Sequence, residues 1–126
     1  MPASPSLKIK IQIYCGREIA MGPGKADLLE AIRTHGSIAA AGRTMTMSYR
    51  RAWLLVDAMN RCWCEPLVQA APEGSARSGA RLTPTGEEVL ARYRALQARA
   101  FGTASTEDWT ALESSLRAVP KERQGA

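Results

Sequence analysis

Between Leu7 and Cys15 apolar and polar positions alternate, with Leu7, Ile9, Ile11, Ile13 and Cys15 on one side and Lys8, Lys10, Gln12 and Tyr14 on the other. A period of two predicts a half-buried strand. Gly22-Pro23-Gly24 breaks the chain, and from Lys25 to His35 the period lengthens, so that Leu28, Leu29 and Ile32 form the stripe of a helix ended by Gly36. Two more helical patterns follow, Ser37 to Met45 and one beginning at Tyr49, each opened by a serine suited to cap it. In the second, Ala52, Val56, Met59 and Trp63 recur at helical spacing and predict a buried face, leaving Tyr49, Arg50, Trp53, Leu54 and Asp57 outside. Ala40, Ala41 and Gly42 remove bulk where the two helices must cross, which is the shape of a helix-turn-helix. Thr46 sits in the turn where a glycine is expected if φ is positive; either the turn avoids that conformation or it is strained.

Glu65-Pro66 ends this helix, Leu67 to Ala70 reads as a short strand, and Ala80 to Thr83 returns as its partner after a polar loop from Pro72 to Gly79. The pair predicts a β-hairpin wing. Thr83-Pro84 starts a further helix with Val89, Leu90, Tyr93 and Leu96 as its buried stripe and Arg92, Arg94 and Arg99 on a solvated face. Thr106 to Val119 predicts a last helix whose apolar side, Trp109, Leu112, Leu116 and Val119, packs on a second copy or completes its own domain, the second copy being favoured. Pro120 to Ala126 reads as a frayed tail. The fold expected is mainly α with a small β component: a winged helix-turn-helix with an N-terminal strand and a C-terminal dimerisation helix. It forms one domain over residues 1–126, with the helix-turn-helix at about 37–63, the wing at about 67–83 and the C-terminal helices at about 84–119.

Composition narrows the function. At 126 residues the chain builds a core without staples but has no room for a second ligand-sensing domain. A formal charge of +5, supplied mostly by arginine, suits an anionic partner, and the planar guanidinium suits phosphate and guanine. Cys15, Cys62 and Cys64 are an odd set without disulfide spacing, which fits a reduced, cytoplasmic setting. Cys62 and Cys64 lie two apart on a helix and face different ways, so they and His35 make a poor metal site; His35 is explained by the dipole of its helix. Nothing predicts a membrane span or a leader. One histidine, with no paired carboxylates and no nucleophile beside a base, argues against an enzyme, and no cofactor is expected. The loop from Gly74 to Gly79 lacks the Gly-Lys-Ser/Thr of a nucleotide site.

The chemistry that remains is nucleic-acid recognition. Ser48, Tyr49, Arg50 and Arg51 place hydroxyls and guanidiniums on the first turn of a helix whose dipole favours phosphate. Lys25, Arg43, Arg50, Arg51, Arg77 and Arg81 are candidate phosphate contacts, while Tyr49, Arg50 and Trp53 or Leu54 are candidates for base edges. Lys8 and Lys10 read as charges that block edge mispairing rather than as DNA contacts. Exposed Trp53 and Leu54 suit a second reading, a winged-helix protein-interaction module that no longer binds DNA.

Leu28-Leu29 with Ile32, Gly36-Ser37-Ile38, Ser48-Tyr49-Arg50 with Ala52-Trp53, Met59-Asn60, Leu67-Val68 and Leu82-Thr83 with Gly86 together resemble the N-terminal DNA-binding domain of ModE-type molybdate-responsive transcriptional regulators. That domain is a winged helix-turn-helix related to those of LysR-type regulators. The resemblance runs from about Leu7 to Val119. It implies a homodimer that sets two recognition helices in successive major grooves, with Ser48, Tyr49, Arg50 and Trp53 facing DNA, Ser37 at a phosphate, and Arg77 and Arg81 in the wing. Thr46 replaces the family's turn glycine, and Gln69-Ala70 replaces a charged pair. The molybdate-binding domains are expected to be missing, which argues against direct oxyanion sensing and leaves a separate effector-binding protein as one candidate partner.

Overall fold

The computed structural model describes residues 6–70, 79–102 and 106–123. In chain order the elements are β1 (Ile13–Cys15), β2 (Glu18–Met21), α1 (Pro23–His35), α2 (Ile38–Thr44), α3 (Tyr49–Cys62), β3 (Val68–Ala70), β4 (Ala80–Leu82), α4 (Pro84–Phe101) and α5 (Glu107–Ser115). The described part is thus mainly helical with two small antiparallel sheets, an arrangement compatible with a winged helix.

The expected strand from Leu7 to Cys15 is shortened. Leu7, Ile9, Ile11 and Ile13 are half-buried and the polar residues between them exposed, as the alternation predicts, but Cys15, expected on the same side, is exposed where the chain turns, and ladder pairing begins only at Ile13. Its partner β2 was not anticipated: Gly16, at φ 60°, turns the chain so that Ile13 faces Met21 and Cys15 faces Glu18. The Tyr93 hydroxyl donates to the Ile11 carbonyl at 2.7 Å and ties the extended segment to α4.

Helix α1 starts earlier than expected, because Pro23 occupies its first turn, where a missing N–H costs nothing. Its C-cap Gly36 is left-handed. The Ser37, Ser48 and Thr83 hydroxyls accept from Ala40, Arg51 and Gly86 N–H, so all three expected N-caps form. Helix α3 ends at Cys62, before Glu65-Pro66, and β3 begins at Val68.

The core gathers Leu28, Leu29 and Ile32 of α1, Ala52, Val56 and Met59 of α3, Leu67 and Val68, and Leu90 and Tyr93 of α4. Trp63 packs against it and donates its indole N–H to the Ala20 carbonyl. Gly42 lies where a Cβ would stand 3.2 Å from the Ala52 Cβ, so the small residues of α2 do allow the close crossing. A Cβ on Gly86 would collide with the Leu67 carbonyl oxygen, and Thr83 donates to the Pro66 carbonyl at 2.6 Å, so α4 begins directly against the start of β3.

Three expectations fail. Leu96 is 45% exposed rather than part of the buried stripe of α4, because that stripe leaves the core after Tyr93. Arg94 is not merely solvated: its guanidinium donates to Glu30 at 2.8 Å and Asp27 at 2.7 Å, joining α4 to α1. Helix α5 stops at Ser115, short of Val119, and buries none of its residues, with Leu112 66% exposed, so of the two alternatives for its apolar side it does not complete its own domain. No helix among the described residues is long and apolar enough to cross a membrane.

Candidate nucleic-acid interface

Helices α2 and α3 are joined by a turn from Met45 to Ser48, pinned by hydrogen bonds from Met47 N–H to the Gly42 carbonyl at 2.9 Å and from Thr46 N–H to the Arg43 carbonyl at 3.1 Å. To close it Thr46 adopts φ 56°, so the second of the two alternatives holds: the turn does require the left-handed conformation, and a β-branched residue supplies it.

At about 100° per residue, burial of Ala52, Val56 and Met59 fixes the outward face of α3. Arg50 and Leu54 stand on its crest, both exposed; Tyr49 and Trp53 flank them on one side, Arg51 and Leu55 on the other. Trp53 is 46% exposed, Leu54 47%. The first turn carries no carboxylate, and its N–H groups beyond the Ser48 cap are open to an anion.

Each flank of α3 borders a cavity. The Tyr49–Trp53 flank faces one of about 310 Å³, whose other walls include Ser37, Ile38 and Gly79. The Arg51–Leu55 flank faces one of about 280 Å³ that also brings in Lys25 and Lys10. Arg43 is exposed on the last turn of α2, and Arg81 is exposed on β4 opposite Gln69. Arg77 lies outside the described residues.

The ion pairs sort the cations. Arg33 pairs with Glu87, Arg61 with Glu18 and Asp57, Arg92 with Glu88, and Arg94 with Asp27 and Glu30. Among the described residues none of these pairs engages Lys25, Arg43, Arg50, Arg51 or Arg81, so their charge is left for another partner. Asp57, placed outside from its spacing, is bound to Arg61 and does not oppose an anion at the crest.

Two functional relationships escaped the sequence reading. Lys10 shares a cavity with Lys25 and Arg51, which strand alternation alone cannot show. Asn60 bonds the backbone of Leu67 and Val68, a pairing that no local pattern in the sequence marks. Elsewhere, burial raises the Cys62 thiol above its ordinary value, with Cys15 as hydrogen-bond partner, and His35 meets the Thr44 hydroxyl at 3.2 Å.

No protein-family model matches the chain. Among curated proteins, it is 44% identical over 102 residues to the molybdenum-pterin-binding protein MopB of Rhodobacter capsulatus, covering 81% of this chain and 36% of that protein. It is 40% identical over 78 residues to the molybdenum transport protein ModE of Azotobacter vinelandii, covering 62% of this chain and 29% of that protein. With the DNA-binding transcriptional dual regulator ModE of Escherichia coli (strain K12) it shares 31% identity over 124 residues, 96% of this chain and 46% of the regulator. The chain therefore spans less than half the length of these relatives, and the matched part of ModE is its N-terminal region.

Proposed function

From its homology to the N-terminal region of ModE-type regulators, we propose that this chain is a sequence-specific DNA-binding transcriptional regulator. Its residues form one winged helix-turn-helix domain in which α2 and α3 are the helix pair, β3 and β4 the wing, and α3 the recognition helix. The observation that carries the reading is the exposed first turn of α3, where Arg50 on the crest and Arg51 on its flank make no ion pair among the described residues and no carboxylate stands beside them, while Glu18 and Asp57 are both matched to Arg61. Arg50, Tyr49 and Trp53 reach base edges; Ser37, Ser48, Arg43, Arg51, Lys25, Arg77 and Arg81 meet phosphates. A second copy covers the exposed apolar side chains Leu112, Leu116 and Val119 at the carboxy-terminal end of the described chain, giving a homodimer that reads two half-sites about one helical turn apart. The molybdenum-related names of the relatives make a molybdenum-linked signal the natural input.

Selection of bound duplexes from a random pool tests this reading: a recurrent palindrome supports it. Arg50→Ala then costs about 1–3 kcal/mol on the selected site and much less on random duplex. An equal loss on both assigns Arg50 to phosphate alone. Exposure of Trp53 and Leu54 favours a second reading, a winged-helix protein-interaction module, which follows if no duplex is retained at low salt.

A further inference from the structure

We infer that the cavity between the amino-terminal segment, the start of α1 and the Arg51 flank of α3 seats a backbone phosphate of duplex DNA. The inference rests on the reading of α3 as the recognition helix and deepens it, joining Lys10 to the Lys25 and Arg51 contacts named there in one seat. The cavity, of about 280 Å³, takes Lys10 and Gln12 from the extended segment, Gly22 and Lys25 from the junction into α1, and Arg51 and Leu55 from α3. Three cations from three separate parts of the chain thus line one concavity, no carboxylate lines it, and none of the ion pairs among the described residues engages them. Like charges gathered in this way repel one another, and an anion placed among them turns that repulsion into attraction.

Geometry identifies the anion. A helix is about 10–12 Å across with its side chains, and the major groove is about 12 Å wide, so a helix lying in the groove has one sugar-phosphate strand along each flank. With Arg50 and Leu54 on the crest, the Tyr49–Trp53 flank and its cavity by Ser37 meet one strand; the Arg51–Leu55 flank meets the other at Lys10 and Lys25. Lys8 shares the polar face of the extended segment with Lys10, yet does not line the cavity. Lys10 is therefore a DNA contact and not simply an edge-blocking charge.

The test measures affinity for a random-sequence duplex across a salt series, comparing the wild type, the Lys10→Gln/Lys25→Gln pair and a charge-matched control pair, Lys8→Gln/Lys121→Gln. Matched thermal melts establish that all three are folded. The seat predicts that the first pair binds severalfold more weakly, with a log–log salt slope flatter by about 0.9, one phosphate's share, while the control keeps the wild-type slope. A wild type that binds with a clear salt slope, beside two pairs that behave alike, overturns the seat and the Lys25 phosphate contact with it, while leaving α3 as the recognition helix. A wild type that shows no salt-dependent binding overturns both.

Discussion

The Asn60 side chain holds Val68 at both ends of its backbone: Oδ1 accepts from the Val68 N–H at 3.1 Å, and Nδ2 donates to the Val68 carbonyl at 3.0 Å. Oδ1 also accepts from the Leu67 N–H at 2.8 Å, so the end of α3 acts as a strand neighbour to the chain entering β3. These bonds set the angle between α3 and the β3–β4 pair. Asn60→Ala leaves two N–H groups and a carbonyl without these partners and is expected to cost about 2–3 kcal/mol in denaturant unfolding. Asn60→Asp keeps the acceptor and loses the donor, and its cost should fall between those of the wild type and the alanine variant.

The left-handed Thr46 is a local cost in the turn between α2 and α3. A Cβ in that region costs about 1–2 kcal/mol, and the exposed side chain has little packing to lose. Thr46→Gly gives some of this back to unfolded-chain entropy, about 0.4–1 kcal/mol, so a net gain near 1 kcal/mol is expected. Thermal denaturation should show a Tm higher by about 3 °C. A lower Tm would mean that the threonine makes a stabilising interaction that outweighs its backbone cost.

The fork of Arg94 onto Glu30 and Asp27 gives α1 and α4 an acid-sensitive tie. Hydrogen bonding from Arg94 holds the Glu30 carboxyl below its ordinary value, with burial opposing and the Arg94 and Arg33 charges assisting. A carboxylate depressed in the folded state contributes stability above its unfolded value, and that contribution is lost as pH falls through the folded value. Arg94→Met should therefore lower stability at neutral pH, and its deficit relative to wild type should shrink in acid. Urea unfolding at neutral and acid pH checks this; a deficit independent of pH would assign the role of Arg94 to packing.

Much of the helical frame was legible because its signals are local. Ser37, Ser48 and Thr83 cap the helices they precede, and the spacing of Ala52, Val56 and Met59 marks the buried face of α3. Thr46 was recognisable as the awkward residue of the turn, though only coordinates show that φ is positive. Strand β2 was missed because Glu18 to Met21 has no alternation, the signal lying instead in Gly16 between two apolar runs. Leu96 and Arg94 were misassigned because a helix longer than the core beside it keeps its apolar period after burial ends, and an arginine's partners sit on another helix. The same limit hid Lys10: a period of two places it on a polar face, and only tertiary packing brings Lys25 and Arg51 to it.

The central proposal is that the outward face of α3 meets duplex DNA, and backbone amide chemical-shift mapping tests it most directly. On titration with a duplex, the account predicts the largest shifts at Ser48 to Leu54, with smaller ones at Ser37, Lys25 and Arg81. Shifts confined to α4 and α5, or none at low salt, would contradict it.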